Sequence, residues 1–184
     1  MRVVAGRFGG RRLVAPRGGA TRPVTDRVKE AVFSSLADRI EGAAVADLYA
    51  GTGSFGIESL SRGARLAVFV ETDPSALEAL RRNLGMLGLG EDVARVVPTT
   101  VESFLLEAPL SFDLVFCDPP WSLDAEHLAG VLDRVPLAPG AQVVVSRRWQ
   151  DPVPQPARLR IYRQRRYGDT RIVRYVESAE EMSR

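Results

Sequence analysis

Short apolar segments alternate with segments of helical periodicity through most of the chain. Apolar runs bounded by turn residues predict strands at residues 45–49, 66–70, 93–97, 113–117 and 142–145. Apolar residues spaced three or four apart predict helices at residues 54–61, 74–87, 101–106 and 125–132. Strands and helices that alternate at this spacing form a parallel sheet with right-handed crossovers, covered on both faces. The pattern therefore predicts a doubly wound α/β fold.

The first forty residues have a different pattern. Apolar pairs on either side of Gly9-Gly10 are interleaved with arginines and predict a small β-hairpin. Thr25 is a predicted N-cap, and apolar positions over residues 28–40 keep the spacing of one buried helical face. We expect this helix to end at Gly42.

The last segment of the chain predicts an antiparallel hairpin, because strands at residues 159–162 and 172–175 flank a turn at residues 167–170. This hairpin closes one edge of the sheet and brings it to seven strands, most of them parallel. A chain of 184 residues with 45% apolar side chains builds one sizeable core. We predict an N-terminal hairpin (1–22) followed by one globular unit (23–184).

Composition excludes several classes of protein. No stretch approaches the roughly 18 apolar residues of a membrane span, and the N-terminus lacks the apolar block of a signal peptide. We therefore expect a cytoplasmic protein without membrane contact. Cys117 and His127 are the only residues of their types, so a disulfide framework or a zinc site of the usual ligands is not expected. We predict no bound metal.

Charge is segregated along the chain. Residues 1–25 carry six arginines and no acid, residues 26–157 carry 19 acids against 11 bases, and residues 158–184 carry 8 bases against 4 acids. A basic end beside an acidic core is typical of proteins that bind a polyanion, so we predict a nucleic-acid partner. The predicted RNA-binding residues are the six N-terminal arginines, Arg2, Arg7, Arg11, Arg12, Arg17 and Arg22.

A glycine-rich loop follows the first predicted strand. Gly51, Gly53 and Gly56 have the G-x-G-x-x-G spacing and lead into a helix, where glycine allows a tight turn and a close approach of the backbone to a ligand. Glu71 follows Gly51 by twenty residues, at the end of the second strand, where a carboxylate accepts hydrogen bonds from ribose hydroxyls. Together these residues predict a cofactor that contains adenosine.

Asp47 distinguishes between two cofactors that use this geometry. It places a carboxylate beside the loop, where the pyrophosphate of NAD would be repelled. A sulfonium cofactor with an ammonium group tolerates that charge, so Asp47 favours S-adenosylmethionine. A local hydrogen-bonding role for Asp47 at the strand end is the alternative.

A second motif, Asp118-Pro119-Pro120-Trp121, follows the fourth predicted strand, next to the first in a doubly wound sheet. The amino group of a nucleic-acid base is a poor nucleophile, because its lone pair is delocalised into the ring. Acceptors must hold both N–H bonds, and the carboxylate of Asp118 and the carbonyl of Pro119 can do so. Trp121 offers a stacking face worth about 1 to 3 kcal/mol. The motif predicts methyl transfer to an amino nitrogen.

Two other reactive side chains have simpler interpretations. Adjacent strand residues face opposite sides, so Cys117 points away from the site if Asp118 faces it, and we expect Cys117 in the core. His127 lies on a predicted helix and is interpreted as a partly exposed structural residue.

Three segments together, residues 21–30, 47–63 and 118–121, resemble the RsmD-type 16S ribosomal RNA guanine-N2 methyltransferases over nearly the whole chain. The block Arg22-Pro23-Val24-Thr25-Asp26-Arg27-Val28-Lys29-Glu30 beside a basic hairpin is the most particular to that family. The resemblance implies a class I S-adenosylmethionine-dependent, Rossmann-like fold and methylation of guanine 966 in a 30S particle or assembly intermediate. We also expect a monomer.

The resemblance also implies roles for individual residues. Asp47, Gly51, Gly53 and Glu71 would bind the cofactor, and residues 118–121 would hold a flipped guanine. The full predicted cofactor set is Asp47, Tyr49, Ala50, Gly51, Gly53, Glu71 and Thr72, with Thr25, Asp26 and Arg27 closing the methionine end. Trp121 stands where relatives mostly have tyrosine or phenylalanine.

Two further hypotheses remain open at this point. An amino methyltransferase for adenine in DNA or RNA, or for a protein glutamine, shares the loop and the Asp-Pro-Pro-aromatic motif. An NAD-dependent oxidoreductase shares the loop alone.

Overall fold

The computed structural model describes residues 1–16, 25–108 and 110–178. Its five helices are α1 (Asp26–Ser34), α2 (Ser54–Ser61), α3 (Pro74–Met86), α4 (Val101–Leu106) and α5 (Ala125–Asp133), with a 3-10 turn at Ala37–Arg39 after α1. Its seven strands are β1 (Ala44–Leu48), β2 (Leu66–Val70), β3 (Ala94–Val97), β4 (Phe112–Cys117), β5 (Leu137–Arg148), β6 (Leu159–Tyr167) and β7 (Thr170–Glu177).

The strands form one sheet in the order β3-β2-β1-β4-β5-β7-β6. β1 to β5 are parallel, whereas β7 runs antiparallel to both of its neighbours. The predicted doubly wound, mostly parallel seven-stranded fold is confirmed, as is the C-terminal hairpin with its turn at Gly168. The ends of β1 and β4 lie side by side, with Leu48 paired to Cys117.

Two apolar layers cover the sheet. One layer packs α1, α2, α3 and the N-terminal segment against one face, where the rings of Phe33, Phe55 and Phe116 stack on one another. The other layer packs α4 and α5 against the opposite face, around Leu128 and Tyr175. Neighbouring residues of the parallel strands are buried on both faces, as expected of a sheet covered by helices on both sides.

The first helix is shorter than its sequence predicts. Thr25 caps α1, but the helix ends at Ser34 rather than at Gly42. The hydroxyl of Ser35 donates to the carbonyl of Val32 at 2.7 Å, and the guanidinium of Arg174 donates to both the carbonyl and the hydroxyl oxygen of Ser35 at 3.0 Å. Because β7 supplies this partner, the helix breaks where periodicity alone would continue it.

The N-terminal segment is held by a buried network. Val3 and Leu13 belong to the core, and the Glu58 carboxylate accepts from the amides of Val4 and Ala5 at 2.7 and 3.0 Å. Lys29, fully buried, pairs with Glu58 at 3.3 Å. The division into residues 1–22 and 23–184 stays a prediction, and Arg17, Arg22 and the motif residues 21–24 lie outside the described residues.

No helix in the described ranges is both long and apolar enough to cross a membrane.

Candidate functional site

The glycine loop turns the chain sharply from β1 into α2. Tyr49, Gly51 and Gly53 have φ values of 59°, 55° and 83°, all in the left-handed region. A Cβ on Gly53 would lie 2.5 Å from Leu80, and one on Gly56 would lie 2.3 Å from the ring of Phe69. These two glycines therefore allow α2 to pack tightly on the sheet. A Cβ on Gly51 would meet nothing within 4 Å, so this glycine borders open space.

Asp47 lies behind the loop with 1% of its surface exposed. Its carboxylate accepts from the amide of Gly56 at 2.8 Å, in the first turn of α2, where the helix has unpaired N–H groups. Burial, together with the nearby carboxylates of Asp118 and Glu71, raises the pKa of Asp47 to about 8, although the amides of Gly56 and Phe55 oppose this shift. The local hydrogen-bonding role considered for Asp47 is thus what the structure shows directly.

Glu71 reaches the loop from the end of β2. One carboxylate oxygen accepts from the amide of Gly51 at 2.7 Å, and the other accepts from the amides of Thr72 and Asp73 at 2.7 and 2.9 Å. These bonds fix the carboxylate in orientation beside the open space at Gly51. Glu71 is only half-buried, so oxygen lone pairs remain accessible to ligand hydroxyls.

The loop therefore fits an adenosine-type ligand without phosphates. Open space at Gly51 and an anchored carboxylate at Glu71 suit a ribose. The carboxylate of Glu71 would oppose a pyrophosphate, and a bound cation would favour ionisation of Asp47, whose pKa is raised to about 8. Tyr49 packs against the α4–α5 layer behind the loop, and its hydroxyl is buried without a hydrogen-bond partner among the described residues.

Asp118 lies at the end of β4, beside the loop. Its amide donates to the carbonyl of Leu48 at 3.4 Å, which continues the pairing of β1 with β4 beyond the strand end. Burial raises the pKa of Asp118 to about 6, and a hydrogen bond with Ser146 partly offsets that rise. Asp118 can thus act as an acceptor at neutral pH and titrates close to it.

Three consecutive residues at the end of β5 support the Asp-Pro-Pro-Trp segment. The Ser146 side chain lowers the pKa of Asp118 and so favours its ionised form, and buried Arg147 donates to the carbonyl of Leu123 at 2.7 Å. The guanidinium of Arg148 lies 3.8 Å from the centre of the Trp121 ring. Sequence reasoning missed all three, although they follow a parallel strand whose end points to the same edge of the sheet.

Trp121 is a partly covered platform. With 41% of its surface exposed, it contributes to no buried core cluster. Arg148 stacks on one face, an arrangement that holds the indole in place and is worth about 0.5 to 2 kcal/mol. Pro119 is buried and Pro120 exposed, so the segment leaves the sheet between these two residues.

Thr25 and Asp26, two of the three residues predicted at the methionine end, make local contacts in this structure. The Thr25 hydroxyl accepts from the amide of Val28 at 3.4 Å as the helix cap, and Asp26 pairs with Arg2 at 3.0 Å. Lys29 reaches the hydroxyl of Ser54 at 3.5 Å, which places the beginning of α1 beside that of α2. Their role at the methionine end of the cofactor stays a prediction.

The four N-terminal arginines within the described residues, Arg2, Arg7, Arg11 and Arg12, are exposed. Arg7 lies over the ring of Phe8 at 5.1 Å, and Arg2 and Arg12 form an isolated antiparallel bridge. Their binding of RNA stays a prediction.

The two remaining reactive side chains lie on the side of the sheet that α4 and α5 cover. Cys117 is buried in the α4–α5 layer, as predicted, and its burial raises the pKa of its thiol. His127 lies 2.7 Å from Glu102, linking α5 to α4, with 44% of its side chain exposed. Among the described residues, no group of three His, Cys, Asp or Glu side chains could hold a metal ion.

Comparison with known proteins identifies relatives over nearly the full chain. The family described as Conserved hypothetical protein 95 matches residues 1–176. Ribosomal RNA small subunit methyltransferase D of Escherichia coli strain K12 is 34% identical over 183 residues, which covers 98% of this chain and 91% of that protein. The protein of the same name from Haemophilus influenzae is 32% identical, covering 91% and 89%. A solved structure of a hypothetical protein from Thermus thermophilus has a TM-score of 0.83 and 32% identity, covering 97% and 99%.

The position of Glu71 predicts that Glu71→Ala weakens binding of S-adenosylmethionine at least tenfold. One lost charge-assisted hydrogen bond contributes about 1.5 to 3 kcal/mol, and each 1.4 kcal/mol is about tenfold in affinity. Titration calorimetry measures the change, with Glu78→Ala, an exposed carboxylate on α3, as the matched control. Equal affinities for the Glu71 and Glu78 variants would remove Glu71 from the site.

Proposed function

The chain belongs to the RsmD family, described as Conserved hypothetical protein 95, and we propose that it methylates the exocyclic N2 amino group of a guanine in small-subunit ribosomal RNA. It is an S-adenosylmethionine-dependent ribosomal RNA methyltransferase. The proposed target is guanine 966 of 16S RNA, within a 30S particle or assembly intermediate. The observation that carries the proposal is the segment from Asp118 to Trp121, anchored beside the glycine loop by the end of β5.

The residues at the loop are suited to hold the cofactor. When bound, S-adenosylmethionine supplies a methyl group activated by its sulfonium. The proposed cofactor residues are Asp47, Tyr49, Ala50, Gly51, Gly53, Glu71 and Thr72. Glu71 would accept from the ribose hydroxyls, while buried Asp47 keeps the loop in place through the amide of Gly56.

Asp118 and Pro119 are proposed to hold the amino nitrogen. The carboxylate of Asp118 and the carbonyl of Pro119 accept hydrogen bonds from the two N–H groups of this nitrogen. In that orientation its lone pair is no longer conjugated with the ring. Methylation makes the nitrogen cationic, and the N–H proton then leaves. Asp118, with a pKa raised to about 6, is placed to accept that proton and return it to water.

Residues at the end of β5 would orient Asp118 and Trp121, the two side chains proposed to contact the base. Ser146 favours the ionised form of Asp118, and Arg147 fixes the chain three residues after Pro120 through the carbonyl of Leu123. Arg148 supports one face of Trp121, so the guanine would stack on the opposite face. A rigid platform reduces the entropy lost when a flipped base binds.

The exposed N-terminal arginines are proposed to bind the RNA backbone. Deleting residues 1–20 would remove Val3 and Leu13 from the core and could disturb the fold. Replacing exposed Arg11 and Arg12 by uncharged residues therefore tests this role more cleanly than truncation.

The two alternative functions are supported to different degrees. Family membership decides against the NAD-dependent oxidoreductase. An amino methyltransferase for adenine or protein glutamine uses the same pair of acceptors, so the geometry at Asp118 does not separate it from the guanine enzyme.

Transfer of tritiated methyl groups to small-subunit RNA, DNA and ribosomal protein, assayed side by side, tests the substrate. We expect incorporation into small-subunit RNA that lacks the modification and background counts elsewhere. Asp118→Ala is the inactive control, since loss of one placed acceptor costs on the order of a hundredfold in rate. Preferential labelling of DNA or protein would contradict the proposal.

The raised pKa of Asp118 predicts the acid side of the pH profile. Only the ionised carboxylate accepts from the amine, so the single-turnover rate should be constant well above pH 6 and fall about tenfold per pH unit below it. Ser146→Ala removes a bond that favours the carboxylate and should move this limb to higher pH.

Ser103→Ala, an exposed serine on α4, is the matched control and should leave the profile unchanged. If the acid side of the rate profile lies at the same pH in Ser146→Ala as in the wild type, it reports the titration of another group. Asp47 is the nearest alternative.

A further inference from the structure

The edge strand β6 presents an unusually basic surface. Its nine residues include four arginines, Arg160, Arg163, Arg165 and Arg166, and no acid. All four side chains are exposed. Edge strands commonly carry charged residues that prevent pairing with another sheet. Four exposed positive charges on one strand, with no acid among them, also create a positive potential that attracts a polyanion.

Two of these arginines line a groove between β6 and α1. Arg163 and Arg165 pair with Arg174 and Ile172 of β7, which places them on the face of the sheet that α1 covers. With Ser34 and Ser35 at the end of α1 and with Tyr167, they line an open groove of about 350 Å³. The groove therefore combines guanidinium groups with hydroxyl and aromatic side chains.

Neither arginine is neutralised within the described part of the chain, where no carboxylate oxygen lies within 4 Å of the guanidinium of Arg163 or Arg165. Arg174 differs, because its guanidinium is engaged by Gln142 and Ser35. Burial lowers the pKa of Arg174, and the nearby charges of Arg163 and Arg39 lower it further. Positive charges thus accumulate around this groove.

Sheet topology connects the groove to the site. β6 runs antiparallel to β7, and β7 antiparallel to β5, so β6 and β5 point the same way. The carboxyl end of β6 therefore reaches the edge of the sheet at which Asp118 and Arg148 lie. Thr170, which follows the β6–β7 turn, pairs with both Arg148 and Tyr167. The groove begins at this edge and extends away from the site along α1.

We propose that the groove between α1 and β6 binds the sugar-phosphate backbone of the RNA that flanks the target guanine, with Arg163 and Arg165 each contacting a phosphate. The two residues lie two positions apart on one face, about 6.7 Å along the strand, so they reach separate phosphates. Arginine suits this role because its planar fork pairs with phosphate oxygens. The inference rests on the proposed RNA substrate and adds a second contact surface at the β6 edge of the sheet, whereas the N-terminal segment packs on α2 and α3.

Binding of an unmodified small-subunit RNA fragment over a salt series tests the inference. Arg163→Gln with Arg165→Gln should reduce the slope of log affinity against log salt by about 1.4 to 1.8 and weaken binding about tenfold or more near physiological salt. Arg81→Gln with Arg82→Gln changes the charge equally on exposed α3 and should alter neither by a comparable amount.

Arg163→Lys with Arg165→Lys keeps the charge and should keep most of the slope. Calorimetry with S-adenosylmethionine should give wild-type affinity for every variant, which shows that the fold is intact. If the wild-type protein methylates the RNA but the glutamine variant has a wild-type slope and affinity, the groove is not the contact and the proposed function stands. If the wild-type protein neither binds nor methylates small-subunit RNA, the proposed function fails and the inference fails with it.

Discussion

The buried carboxylate of Asp47 is the constraint on which the site depends. It accepts an amide of α2 from the end of β1, so strand and helix are joined across a turn that needs left-handed residues at Gly51 and Gly53. The same turn presses α2 against Phe69, where only glycine fits at position 56. With the turn fixed, the amide of Gly51 meets the carboxylate of Glu71. One buried hydrogen bond therefore determines the shape of the loop and the position of its acidic partner.

A second constraint comes from the parallel pairing of β1, β4 and β5. It brings Asp118 beside the loop and places Ser146, Arg147 and Arg148 next to the segment that follows Asp118. Three carboxylates consequently face one small region, where burial and mutual repulsion raise the pKa of Asp47 to about 8 and burial raises that of Asp118 to about 6. Such a region disfavours phosphates and favours a cationic methyl donor and an amine that sheds a proton. The arginines that we propose bind the phosphates lie instead on the N-terminal segment and on β6, where they are exposed.

Much of the fold and of the candidate site was predictable from the sequence, because the motifs were local or their positions followed from strand order. The spacing of the glycines, the position of Glu71 and the motif at Asp118 predicted the loop and the position of Asp118 beside it, since carboxyl ends of parallel strands share one edge. Long-range contacts were not predictable in this way. Arg174 ends α1 at Ser35 from 139 positions away, and Arg148 finds Trp121 only after the sheet has formed. The residues at the end of β5 were a weaker prediction. Strand order alone could have placed them at the site, because β5 is parallel to β4 and next to it.

Identification of the methylated nucleoside tests the central claim most directly. Small-subunit RNA or 30S particles that lack the modification are incubated with the protein and isotopically labelled S-adenosylmethionine, then digested to nucleosides for mass spectrometry. Acceptors at Asp118 and Pro119 that hold a guanine amino group predict labelled N2-methylguanosine as the product, and none with Asp118→Ala. Label in N6-methyladenosine, or on a ring nitrogen or carbon of any base, would contradict the account.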